Sequence, residues 1–242
     1  MPVERIAFVT GANKGIGFAI AQQLGEQGNI VLVGARDEVC GKQSADALTA
    51  AGITAEPVRI DVRDAESVAG AAAQIEQRYG RLDILVNNAG VAGGLNGPPS
   101  AATADHMREV YETNVFGVVS VTNAMLPLLL RSDAGRIVNM SSHLGSLALN
   151  ADPDSPFARL NMIAYQSSKT ALNALTVAYA KELRGTSVKV NAANPGVVAT
   201  DINHHQGRRT PAEGAVIAVR LALLDDAGPS GACLSEDGVV PW

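Results

Sequence analysis

Short, apolar, β-branched runs recur along this chain, with longer stretches of a different period between them. The runs are Ile6 to Val9, Ile30 to Val33, Ala55 to Ile60, Leu82 to Asn87, Arg136 to Ser141 and Val188 to Asn194. Their near-continuous apolarity, without strict alternation, is what a strand covered on both faces requires. The stretches between them, such as Phe18 to Gln27 and Ser67 to Tyr79, carry the period of amphipathic crossover helices. Strand and helix alternating in this way predict an α/β fold, a doubly wound parallel sheet of about seven strands with helices on both faces. No Pro/Ser-rich linker or charge run divides the chain, so residues 1–242 are expected to form one domain. Ligands of such sheets lie at the carboxyl ends of the strands, near the reversal of strand order.

The first run leads directly into Thr10-Gly11-Ala12-Asn13-Lys14-Gly15-Ile16-Gly17, and a helical pattern follows. In a strand–turn–helix of this kind Gly11 permits the turn, Gly15 lets the backbone approach a pyrophosphate, and Gly17 lets helix and strand pack closely. The helix N-terminus adds amide donors and partial positive charge. The spacing is GxxxGxG rather than GxGxxG, and on its own it also fits a plain structural turn. The second run ends Val33-Gly34-Ala35-Arg36, with no acid at the strand end to bond a ribose diol. A guanidinium there, with Lys14 in the turn, would attract the 2′-phosphate of NADP, which makes NADP the expected cofactor. Asp37 could turn inward to a ribose, and it keeps NAD as the alternative. Asp61 and Val62, after the third run, could contact an adenine edge, although an Asp in that position also caps helices.

Composition narrows the partners. The chain is 47% hydrophobic and 18% charged with a formal net charge of −5, and without a basic tract it offers nothing to a nucleic-acid backbone. No apolar run reaches membrane-spanning length, and the first is too short for a signal segment, so a cytoplasmic protein with no membrane partner is expected. Its two cysteines, Cys40 and Cys233, form no CxxC and are expected as inert core thiols. His106, His143, His204 and His205 have no metal-ligand spacing, and none accompanies a GxSxG serine, so neither a metal site nor a hydrolase triad is expected.

Tyr165 and Lys169 stand one helical turn apart on the same face of a segment with helical period. A free tyrosine has a pKa of about 10, and a fixed positive charge nearby favours its phenolate. Alone, the pair also fits a Tyr packed over a Lys stem. Its company decides the matter. The Thr10 to Gly17 turn, Asn87-Asn88-Ala89-Gly90, Asn114, Ser141-Ser142, Tyr165 to Lys169, and Pro195-Gly196 with Thr200 follow one another at predicted strand ends or on predicted helices. Together they resemble the short-chain dehydrogenase/reductase family. Through Asn13-Lys14-Gly15-Ile16-Gly17, Ala35-Arg36-Asp37 and an ending of Ser235-Glu236 with Trp242, the chain is most similar to the carbonyl reductase branch.

That resemblance implies a single-domain Rossmann-type fold and an NADPH-dependent reductase of ketones and aldehydes, able also to oxidise alcohols. Tyr165 would be the general acid/base, and Lys169 would lower its pKa and hold the nicotinamide ribose. Ser142, in preference to Ser141, would hydrogen-bond the substrate oxygen, and Asn114 would hold a water that resupplies the proton. Asn88, Ala89 and Gly90 would pass beneath the adenosine while also stabilising the central sheet. Pro195, Gly196, the amides around Val198 and the Thr200 hydroxyl would hold the carboxamide, with hydride leaving from the pro-S face. Substrate would meet Ser142, His143, Leu144 and Tyr165. The resemblance further implies a substrate lid at about residues 197–212 and an insertion at about 149–161, whose Phe157, Leu160 and Met162 would wall the pocket. Such an insertion implies a monomer, with a dimer or tetramer through the Tyr165 helix as the alternative. A dedicated biosynthetic ketoreductase, such as one for a 3-oxoacyl group, would share every motif. So would a sugar-nucleotide epimerase, except that it usually carries an added C-terminal domain. A non-catalytic NADP(H) sensor would have no use for Asn114, Ser142, Tyr165 and Lys169 together.

Overall fold

The computed structural model describes residues 4–94 and 97–242. The expected strands form as β1 (Ile6–Thr10), β2 (Ile30–Ala35), β3 (Ala55–Arg59), β4 (Ile84–Asn87), β5 (Arg136–Met140) and β6 (Lys189–Ala193), followed by β7 (Cys233–Ser235) and β8 (Gly238–Val239). They make one sheet in the order β3-β2-β1-β4-β5-β6-β7-β8, parallel throughout except for the antiparallel β7–β8 pair. The sheet thus has eight strands where about seven were expected. The additional one, β8, is a two-residue return of the chain onto β7, too short to leave a periodic signal.

Crossovers cover both faces. Ala7 and Val9 of β1 point into a core with α1 (Gly15–Glu26), α2 (Glu38–Ala50) and α8 (Pro211–Ala222). Ile6 and Phe8 point into the opposite core with α3 (Ala65–Tyr79), α5 (Gly117–Leu129) and α7 (Ile163–Glu182). This alternation explains the continuous apolarity of the strand sequences: each residue is interior on one side or the other. Between α3 and α7 lie also α4 (Ala104–Tyr111) and the short α6 (Leu147–Ala151).

The sheet's amino end is tied by buried ions that hydropathy does not register. Asp83 accepts from the Ile6 amide at 2.8 Å and from the Ser132 hydroxyl at 2.5 Å. The Leu82 amide donates to the Leu128 carbonyl of α5 at 3.2 Å instead of to a strand, and β4 begins at Ile84 and not at Leu82. Arg136 is fully buried, donating to the carbonyls of Leu224, Gly135 and Ser187 and to Asp226 at 2.8–3.1 Å. With those groups spent on structure, the carboxyl end is left for chemistry. One expectation about the cysteines fails. Cys233 is buried, but Cys40 is exposed, because Asp37 caps α2 through the Cys40 amide at 2.8 Å and starts the helix with that turn facing outward.

The sheet order reverses between β1 and β4, and there two turns nearly touch. The Asn88 side-chain amide donates to the Thr10 and Gly11 carbonyls at 2.9 and 3.2 Å. The Thr10 hydroxyl oxygen accepts from the Asn88 and Ala89 amides at 3.0 Å each. Gly17 lies beneath this contact, and a Cβ on it would fall 2.3 Å from the Gly11 carbonyl oxygen and 2.4 Å from Asn88 Nδ2. Gly17→Ala should therefore destabilise the protein by about 1–3 kcal/mol through forced backbone movement. Gly70→Ala, in α3 with open space within 4 Å, should be neutral or stabilising, since Ala is the better helix former. Urea unfolding of both variants checks this, and equal effects would contradict the packing argument.

Candidate active site

The crevice at the reversal has a floor built from the turn after β1. Gly15 has a φ of +57°, and a Cβ there would meet only Thr200 Cγ2, at 3.7 Å. It opens α1 with no side chain over the helix N-terminus, a cradle that any other residue would fill. Asn13 is held from beneath, its carbonyl accepting from the Ser44 hydroxyl at 3.0 Å, and Ile16 packs on the core. Ala89 and Gly90 continue the turn after β4, where Gly90 borders both Asn114 Oδ1 and Lys169 Nζ. Arg36 is exposed beyond β2. Asp37, whose carboxylate is held low chiefly by the Cys40 amide, caps α2 through Oδ1. Beyond β3, both Asp61 oxygens are taken by Arg63, which donates at 2.9–3.1 Å from its amide and guanidinium, while the Val62 side chain is buried.

Lys14 has a partner that the sequence did not suggest. Its ammonium pairs with Asp201 across the crevice at 2.5 Å, and His205 contacts the same carboxylate at 2.9 Å. All three side chains are exposed, so the link is a weak one.

At the carboxyl end of β5, the chain delivers the chemistry-bearing residues together. Lys169 is 5% exposed and donates to the Met140 carbonyl at 2.8 Å, with its Nζ 5.5 Å from the centre of the Tyr165 ring. Burial pushes the Lys169 pKa down to about 8. Burial also pushes the Tyr165 phenol up, with a hydrogen bond to the Ser142 side chain pulling the other way. The Lys169 ammonium faces Met140, so in this structure the expected lowering of the phenol's pKa is not what prevails. Ser142 accepts from the Leu144 amide at 3.2 Å. Ser141, the rival serine, is buried and spends its proton on Asn173 at 2.6 Å.

Asn114 sits in a π-helical turn, Glu112–Phe116, between α4 and α5. Its side chain accepts from the Val91 amide at 2.9 Å and donates to the Val91 carbonyl and the Ser168 hydroxyl at 2.8 and 3.0 Å. Ser168 in turn donates to the Tyr165 carbonyl at 2.7 Å. Asn114 and Tyr165 are therefore joined through one hydroxyl.

The other wall follows β6. Gly196, at φ +76°, donates to Asn194 Oδ1 at 3.1 Å, while Asn194 Nδ2 is a buried donor without a partner among the described residues. Pro195 and Gly196 lead to Val198, which bridges to Arg209. Thr200 opens a short turn, Asp201–Asn203, with its amide donating to Asn203 Oδ1 at 3.1 Å. His143 is half-buried and stacks on Phe157 at 5.3 Å, and burial lowers its pKa. Leu144 stands beside it in the turn that Ser142 begins. No group of three potential metal ligands occurs among the described residues. No helix among them is long and apolar enough to cross a membrane.

Several participants escaped sequence reasoning. Arg63 could have been suspected from its spacing to Asp61. Asp201 and Asn173 gave no signal, since their partners lie far away in the chain.

The sequence model of the short chain dehydrogenase family matches residues 5–210. The (-)-isopiperitenone reductase of Mentha piperita is 35% identical, over 97% of this chain and 97% of that protein. Carbonyl reductase [NADPH] 1 of Sus scrofa is 33% identical, over 98% and 94%. The structure of an NADPH-bound carbonyl reductase from chicken fatty liver superposes with a TM-score of 0.86 at 30% identity, covering 100% of both chains.

The depressed Lys169 pKa makes a prediction about stability. Between about 8 and the unfolded value the unfolded chain holds the proton more tightly, so stability rises with pH across that window. Relative to Lys169→Met, the cofactor-free wild type should gain on the order of 2 kcal/mol between about pH 7 and about pH 10. Urea unfolding of both proteins measures the difference; a constant or falling difference would mean that Lys169 keeps an ordinary pKa.

Proposed function

The chain belongs to the short-chain dehydrogenase/reductase family, near its carbonyl reductase branch, and from that footing we propose an NADPH-dependent reductase of ketone and aldehyde carbonyls. The observation that carries this reading is the convergence of Tyr165, Ser142 and Lys169 at the end of β5, beside the strand-order reversal. The chain's residues fit a dinucleotide. The cradle over Gly15 suits a pyrophosphate, and Thr200 stands across it. Arg36, exposed at the end of β2, suits a 2′-phosphate better than a bare diol. The NADPH in the names of the porcine and chicken proteins supports the same preference, and NAD remains the lesser alternative.

When bound, the reduced nicotinamide would supply the hydride for the carbonyl carbon. The chain's own part is the proton and the developing charge. Burial keeps Tyr165 protonated at rest, as an acid should be, and its hydroxyl would give that proton to the carbonyl oxygen. Ser142 would donate a hydrogen bond to the same oxygen, strongest as charge gathers there. Lys169, while protonated, stabilises the phenolate left behind, and Asn114 would hold the water through which solvent returns the proton. Alcohol oxidation would run these steps backwards. His143 and Leu144 would border the substrate, with the lid at about 197–212 above it. The insertion lies against the first turn of α7 through Gln166 and Leu160, which supports a monomer.

Tyr165→Phe should cut carbonyl reduction by roughly 10²–10⁴ while leaving NADPH affinity near native. A near-native rate in single-turnover measurements would remove Tyr165 from the chemistry. Arg36→Asp should weaken NADPH far more than NADH, because an attraction becomes a repulsion at the 2′-phosphate. Equal losses in paired titrations would show that Arg36 is not the selector.

A further inference from the structure

The Ser142 loop and the first turn of α7 must hold a hydroxyl and a phenol in register, yet no strand pairing joins them. Deeper along α7 the two are fixed by close packing. A Cβ on Gly145 would sit 2.8 Å from the Lys169 carbonyl carbon, and the Gly145 carbonyl accepts from Thr170 and Asn173 at 3.0 and 3.2 Å. Tyr165 lies on the other side of that anchor, in the opening turn of a helix whose N-cap, Met162, offers no side-chain cap. Uncapped helix ends fray, which is a poor setting for an acid that must be aimed.

Two neutral amides compensate. Asn150 Nδ2 donates to the carbonyls of Leu144 and Ser146 at 2.8 and 2.7 Å, gripping the loop that Ser142 begins. Asn150 Oδ1 accepts from Gln166 Nε2 at 2.7 Å. Gln166 Nε2 also donates to the Leu160 carbonyl at 3.2 Å, and Gln166 Oε1 accepts from the Met162 amide at 2.8 Å. Every side-chain N–H of the pair is spent, and both residues are half-buried. With the Leu144 amide donating to Ser142, the bonds run from the serine to the residue beside the tyrosine. Residues of the insertion supply the middle of that run.

We propose that Asn150 and Gln166 form an amide ladder that sets the spacing between Ser142 and Tyr165, making both positioning residues for carbonyl reduction. The role in turnover rests on the reductase reading; the mechanical link does not. The ladder carries no titrating group, so its hold is the same across the working pH range. It also gives the insertion a purpose beyond walling the pocket: it braces the acid against its hydrogen-bonding partner.

Asn150→Ala, Gln166→Ala and the double variant test this. Each single change should lower kcat by about tenfold, as misplacement of a reacting group does, with NADPH affinity, carbonyl KM and the unfolding midpoint near native. The double variant should be no worse than the poorer single, because either change breaks the same connection. Amide hydrogen exchange, read without substrate, should quicken at both Leu144 and Met162 in each single variant. Native kcat in the singles, losses that multiply in the double, or loosening confined to the mutated side would overturn the proposal. A wild type that turns over no carbonyl would sink the reductase reading alone, and the exchange measurement would still decide the ladder.

Discussion

The close approach of two turns at the reversal of strand order is the constraint from which the rest of this structure follows. Thr10 and Asn88 exchange bonds between the ends of β1 and β4, and only a glycine at position 17 lets α1 lie beneath them. That contact aims the α1 N-terminus into the crevice and sets the height of Gly90, which borders Asn114 and Lys169. Loosening it would move both halves of the site at once. The polar groups that hold it are also those that shape the floor, so stability and function draw on the same residues.

Beside that floor the site keeps a cation in a dry place. Lys169 loses hydration, and its bond to the Met140 carbonyl recovers only part of that loss, which is why its pKa falls to about 8. The same burial raises Tyr165. The ordinary values of the two groups are nearly equal, and burial drives them apart, the phenol upward and the ammonium downward, the kind of separation by environment that assigns acid and base roles in proton-transfer sites. The site is therefore costly to the fold, and the packing of Gly145 against α7 and the buried ties of Asp83 and Arg136 at the far edge help to offset it.

Much of this was legible in the sequence because burial on both faces writes itself as apolar runs, and because the motifs at strand ends lie within short windows. The first six strands, the glycine turn and the stretch from Tyr165 to Lys169 were readable for that reason. The preference for Ser142 over Ser141 came from the family resemblance alone, and the bond from Ser141 to Asn173 is a physical reason that the sequence did not contain. The capping bond of Asp37 and the pairing of Lys14 with Asp201 were not legible, because the second depends on a residue far along the chain and the first on the exact start of α2. Cys40 was misjudged because a helix's outward face depends on how it is capped, and β8 because two residues carry no period. The Asn150–Gln166 link joins amides of ordinary appearance, and composition does not disclose such a partnership.

The central claim is that this crevice binds a reduced dinucleotide and passes its hydride to a carbonyl. The most direct test is a fluorescence titration of the purified chain with NADPH and with NADH, followed in the same cuvette by a diketone or aromatic aldehyde. The account predicts tighter binding of NADPH and loss of its fluorescence through oxidation once the carbonyl is added. Absence of binding by either cofactor would contradict the reading at its root, and binding without oxidation across a broad carbonyl panel would contradict the reductase.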